Sequence, residues 1–249
     1  MKKPCVITTA QGAIPFVLTR SSGRRTLTIS VDEKAEARVA APFHMADRDV
    51  YAFLHEKAEW LCDKINAARD YRDRLRQKAF DHGQRFLFLG KKHDVNVVAQ
   101  KIQRCRISFD TAQGWLVAVP GNLSGPQRRL QVRAKMIQWY RSQAKEILGG
   151  RVFHYARLMG IGPKRIAIRT QKRLWGCCDY RAQSINLNWQ IILAPLEVID
   201  YIVIHELCHL TVPSHSHRFW KKVEKIMPDY RKRRQWLKVN HIDMMLPAE

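Results

Sequence analysis

The chain has 249 residues, of which 46% are hydrophobic and 9% aromatic; this excludes a disordered segment and suffices for one large domain or two small ones. Its formal net charge is +22, from 44 Lys and Arg against 22 Asp and Glu, divided as +6 over residues 1–100 and +16 over residues 101–249. Such a surplus attracts polyanions, so nucleic acid and nucleotides stand as candidate partners, although no regular basic binding motif accompanies the charge.

Short β-rich runs come first: IPFVLTR, RRTLTISV and EARVAAP, with turn signals such as SSG between them. From Asp47 the apolar residues recur every three or four positions through VYAFLHEKAEWLCDKI and on into the charged run RDYRDRLRQK, which predicts a helix. Four further strands are expected at QRFLFLG, VNVVA, RCRISF and GWLVAV, closed by the turn PGNLSGP. An amphipathic helix is then expected over roughly 126–148, ending at Gly149-Gly150, with FHYARLMG as a separate helical piece. RIAIRT and SINLN read as strands, the latter with Ile185 and Leu187 on one face. LEVIDYIVIHELCHL reads as a helix starting after Pro195, with Glu197 favourably placed near its N-terminus. The expectation is an α+β fold with a β-rich region at 1–124 and a helical region at 125–249, packed as one unit and without an internal repeat.

Cys5, Cys62, Cys105, Cys177, Cys178 and Cys208 are too scattered for a secreted disulfide scaffold. MKK is followed by a polar, broken stretch rather than an export signal, and the apolar tract IILAPLEVIDYIVI is interrupted by Glu197 and Asp200. A reduced cytoplasm and no membrane partner are expected.

The chemistry gathers in IHELCHLTVPSHSHRFW, residues 204–220. His205 and His209 are four apart, so on a helix they lie about 40° from each other around the axis and can grip one ion. Glu206 lies beside that face, where it can reach a water on the metal rather than the metal itself. Catalytic zinc takes three protein ligands and keeps a position for water. In an unbroken helix position 215 would point about 120° away from His209, so the chain must turn first. Pro213 and Ser214 supply that break. His215 is then the leading third candidate, with His217 and Glu224 as alternatives. Cys208 reads as a small buried hydrophobe and the adjacent Cys177-Cys178 as core residues. RKRR at 231–234 is either a polyanion contact or a solvated helix face. Met244-Met245 does not establish a Met-turn.

The same spacing occurs in metzincins, but those require a glycine where Val212 stands. The sequence resembles instead the YgjP-like metallopeptidase domain family, related to the minigluzincins and to SprT-like and WLM proteases. The stretches that carry the resemblance are RLWGCC (173–178), INLNW (185–189), VIDYIVIHELCHL (198–210), SHSHRFW (214–220) and PDYRKRRQWL (228–237), with SSGRRTLTISV and HEKAEWL at the front. It extends over roughly residues 15–240, departing where Cys177 replaces a usual serine and Ser214 a usual asparagine. The resemblance implies a zincin-like (minigluzincin) C-terminal half with a small sheet, Zn2+ held by His205, His209 and His215, and Glu206 as general base in peptide hydrolysis. Two alternatives stand beside that function. One is a metal-dependent nucleoside triphosphate phosphohydrolase, weakened by the lack of a Gly-rich phosphate loop. The other is a DNA-associated protease or binding protein, supported here by charge alone.

Overall fold

A computed structural model describes residues 2–10, 12–32, 34–171 and 174–246, the side chains of 2 and 75–77 excepted. The chain is α+β, and it separates into two compact units, Met1–Gln77 and Lys78–Glu249.

In the first unit β1 (Lys2–Thr9), β2 (Gly12–Ser21), β3 (Thr28–Val31) and β4 (Ala37–Pro42) form a sheet in the order β1-β2-β4-β3. The β2–β4 pair is parallel and the other two pairs are antiparallel. Alternate residues Ile14, Phe16 and Leu18, with Ala37, Val39 and Ala41, turn to a core shared with Val50, Leu54, Leu61 and Ile65. The last four lie on α1 (Asp47–Glu56) and α2 (Ala58–Gln77), so the helix expected from Asp47 is two, parted at Lys57, whose φ is −98°. Strand β1 carries little apolar alternation: it is an edge strand, with Ile7 buried and Val6 exposed.

The second unit opens with β5 (Arg85–Phe88), β6 (Lys91–Gln100), β7 (Arg106–Asp110) and β8 (Gly114–Pro120), in the order β5-β6-β8-β7. Phe86, Phe88, Val95, Trp115 and Val117 pack in one core with Val132, Met136 and Tyr140 of α3 (Gly125–Met159). The boundary expected at 124/125 therefore falls inside this unit, between a sheet and the helix that shares its core. Helix α3 also runs straight through Gly149-Gly150 and takes in FHYARLM, ending instead at Gly160 in the left-handed conformation, φ 63°. Each glycine costs about 1 kcal/mol in a helix, but Leu148 and Val152 on either side are buried one turn apart and hold the helix together.

The two four-stranded sheets are copies of one plan. In both, the outer pairs are antiparallel and the central pair is parallel. TISVDEKAEARVAAP (28–42) and RISFDTAQGWLVAVP (106–120) match at Ile29/Ile107, Ser30/Ser108, Asp32/Asp110, Val39/Val117, Ala40/Ala118 and Pro42/Pro120. The registers correspond, Ser30 opposite Arg38 and Ser108 opposite Leu116. Both aspartates turn the hairpin alike: Asp32 Oδ1 accepts from the N–H of Lys34 and Glu36, and Asp110 Oδ1 from the N–H of Ala112 and Gln113. A helix begins five residues after each proline, at Asp47 and at Gly125. An internal repeat is thus present where the sequence suggested none. Its identities are sparse, and its core positions differ in size, with Ala37 facing the role that Trp115 fills.

The third sheet, β10-β11-β9, consists of β9 (Arg165–Arg169), β10 (Gly176–Asp179) and β11 (Ser184–Asn188). Ile185 and Leu187 are buried together, as the alternation of SINLN requires. A single 3-10 turn, Trp189–Leu193, leads to α4 (Leu196–His209), followed by α5 (His217–Ile226) and α6 (Tyr230–Asn240). Helix α4 is buried along most of its length and is tied to α3 by Asp200, which accepts two hydrogen bonds from Arg151 at 2.6 and 2.7 Å. Among the described residues no helix is long and apolar enough to cross a membrane.

Candidate active site

Helix α4 delivers the first two imidazoles. His205 and His209 lie one turn apart near its C-terminal end, and their Nε2 atoms are 3.2 Å from each other. The helix stops at His209, the chain turns through Pro213, and His215 comes back from the loop before α5. Its Nε2 lies 3.1 Å from that of His209 and 3.0 Å from that of His205. The turn expected at Pro213-Ser214 thus brings the third imidazole to the other two. His217 is the exposed first residue of α5, Glu224 is exposed farther along it, and neither belongs to the cluster.

Phe219 forms the floor of this triangle. Its ring stacks on His209 with centroids 4.3 Å apart and meets His205 and His215 edge-on, each at 4.9 Å. Trp220 stacks on His215 at 5.6 Å and on Tyr230 at 5.3 Å, and Tyr230 stacks in turn on Tyr201 at 6.5 Å. The motif residues Phe219 and Trp220 therefore orient imidazoles, a task that HSHRFW alone did not reveal.

Protonation follows from surroundings. Burial, with the neighbouring His209 and His215 imidazoles and Arg234 adding to it, pushes His205 down to about 3, so its ring is neutral. Burial also lowers His209. Its Nδ1 lies 3.0 Å from the Val212 carbonyl, which can only accept, so Nδ1 carries the proton and Nε2 keeps its lone pair. Three imidazole Nε2 atoms converge on one point, an arrangement that a cation between them would relieve of lone-pair repulsion. Ligands at about 2.0–2.1 Å in tetrahedral geometry stand about 3.3 Å apart, close to the spacings of this triangle. The donor set fits a divalent metal ion.

Glu206 is 4% exposed, and burial pushes its carboxyl up to about 8. The backbone of β10 lies directly on it: a Cβ built on Gly176 would come within 2.7 Å of both Cγ and Oε1 of Glu206. A side chain at 176 would displace the carboxylate, which explains glycine in RLWGCC; Arg173 of that stretch lies outside the described residues. Asn188 holds the approach to β10, its side-chain amide donating to the carbonyls of Gln171 at 2.8 Å and Leu174 at 3.1 Å. Cys208 is fully buried, as expected of a small hydrophobe. Cys177 and Cys178 are half-buried neighbours on β10, and the Cys177 sulfur accepts from the Gln171 amide at 3.3 Å.

A family model described as YgjP-like, metallopeptidase domain, matches residues 25–240, which includes every residue of this site. The chain belongs to that family. As a YgjP-like metallopeptidase domain it implies a bound divalent metal, and the three-histidine cluster is where its described residues can hold one. Among solved structures, the metallopeptidase zymogen of Pyrococcus abyssi abylysin is similar at 24% identity, covering 37% of this chain and 93% of that one, with a TM-score of 0.35. No curated protein matches the chain.

Proposed function

We propose that this YgjP-like protein is a zinc-dependent metallopeptidase of the HExxH-x5-H type. His205, His209 and His215 are its ligands and Glu206 its general acid–base. The observation that supports this most directly is the convergence of three imidazole Nε2 atoms within 3.2 Å of one another, with the buried carboxyl of the next residue in a glycine-lined wall. Zinc so held supplies a Lewis acid that brings the pKa of water toward neutrality and polarises a carbonyl. A nearby dication favours the ionised form of Glu206 over the neutral form that burial alone would select. The Glu206 carboxylate then removes a proton from the water attacking the peptide carbonyl. It returns that proton to the amide nitrogen as the C–N bond breaks. Phe219 and Trp220 keep the imidazoles from turning, and the apolar body of α4 keeps bulk water away from their far side. We place the activity in the cytoplasm, on the strength of thiols left unpaired at all six cysteines.

The decisive variant is Glu206→Gln. It should keep one zinc per chain by elemental analysis while kcat on an unfolded-protein substrate falls about 10²–10⁴-fold, the range for losing a general base. Retention of substantial turnover would remove Glu206 from the mechanism. Phosphate or pyrophosphate released from nucleoside triphosphates, with no peptide fragments, would replace the peptidase reading.

A further inference from the structure

The stacked rings beside the histidines end in a positive charge. Arg234, on α6 one turn after Tyr230, places its guanidinium carbon 5.0 Å from the centroid of the Trp220 ring, and that ring stacks on His215. Other arginines of the 231–234 run are engaged elsewhere. Arg233 pairs with Asp229 at 2.8 Å, and Arg231 donates to the Tyr230 hydroxyl at 3.3 Å. Of the acidic groups of this region, Asp229 is taken by Arg233. Among the described residues, then, Arg234 has an aromatic face beneath it and no carboxylate opposite it. It is exposed and stands one indole away from His215.

We propose that Arg234 anchors a carboxylate of the substrate peptide next to the three-histidine centre, making this a peptidase selective for anionic peptides; the proposal rests on the peptidase reading above. A guanidinium backed by an indole is held in its plane, and its free N–H edge presents the paired donors that fit a carboxylate in bidentate fashion. Glu206, the acidic group of the catalytic wall, is buried under Gly176, so the role of counter-ion to Arg234 does not fall to it. A substrate carboxylate would fill that role and orient the neighbouring peptide bond. It can come from an Asp or Glu side chain or from the C-terminus of the peptide.

The zinc-loaded full-length chain distinguishes these sources with two peptide pairs, one differing only by Asp against Asn, the other by a free against an amidated C-terminus. In at least one pair the acid member should be favoured about tenfold or more in kcat/KM, mainly through KM, as expected for one charged hydrogen-bonded pair. Arg234→Gln should abolish the preference and Arg234→Lys should retain part of it, with zinc content and unfolding temperature unchanged. A readout free of turnover is calorimetric binding of the same pairs to zinc-loaded Glu206→Gln. It should show the same preference, lost when Arg234→Gln is added. Equal cleavage and equal binding of acid and amide members overturn the role of Arg234 and leave the peptidase reading intact. So does an equal loss on neutral and acidic peptides in Arg234→Gln, because the charge would then act on the reaction rather than on a carboxylate. If the wild-type chain cleaves no peptide at all, the peptidase reading falls and takes this proposal with it.

Discussion

At the scale of single residues, the proposed centre depends on two kinds of position: those that would do chemistry and those that leave room for it. His205, Glu206 and His209 were legible in the sequence because a helix of period 3.6 brings positions four apart together. His215 was legible only through Pro213, whose incompatibility with a continuing helix implied the return of the chain. Gly176 was quoted within a resemblance but had no assigned task, since its role is to lack a side chain against a residue 30 positions away. Gly176→Ala tests it. The added methyl would press on the Glu206 carboxyl, and kcat/KM should drop about 10²-fold, the cost of misplacing a reacting group by an ångström, while zinc binding persists. Unchanged turnover would mean that the β10 backbone can retreat without disturbing Glu206.

Elements were readable where one face is strongly apolar and obscure where context decides. Helix α4 and strand β11 were located from pattern alone. Strand β1, at a sheet edge with one buried side chain, and β10, with four residues, offer too little alternation to register. Helix α3 is the opposite case: two glycines signalled a stop, and burial of Leu148 and Val152 overrode them. That conflict makes a prediction. Beyond the adjoining residues and backbone of α3 itself, no atom lies within 4 Å of a Cβ built at Gly149 or Gly150, so alanine meets no obstacle at either. Gly149→Ala and Gly150→Ala should each raise stability by about 0.5–1 kcal/mol, through helix propensity and a less flexible unfolded chain, and the two should add. Thermal unfolding measures this, and a lowered midpoint in either variant would show that α3 needs a glycine there for another reason.

Across the whole molecule, the α+β class was legible but the division of the chain was not. A boundary drawn where strands give way to helices separates β8 from α3, which share a core; the contacts instead divide the chain between the two copies of the repeated sheet. Sparse identities such as Ile29/Ile107 and Pro42/Pro120 hide in sequence and become plain only when register aligns them. Lys78, the first residue of the second unit, gives a global handle on stability. Its ammonium donates to the carbonyls of Asp243 and Met245 at 2.8 and 2.7 Å, yet burial brings its pKa down to about 8 from the usual 10.5. Below pH 8 folded and unfolded chains both carry the proton, and the folded one bears the cost of burying it. Between about 8 and 10.5 the folded chain releases the proton first, so this group adds stability as pH rises. Urea midpoints of the chelated protein should therefore improve more from pH 7.5 to 10 in wild type than in Lys78→Met. Parallel pH curves for the two would show that Lys78 is solvated in the native state.

The phenyl floor under the imidazoles has one more consequence. Because ring contacts with Phe219 brace the three imidazoles, the opening between them has a preferred size of its own. Discrimination among cations then becomes a question of mechanical compliance: a larger ion must lever the rings apart against α5, while a smaller one leaves them slack. Trimming Phe219 to leucine would soften that frame, and the order in which competing ions are preferred would flatten before any donor atom had been altered.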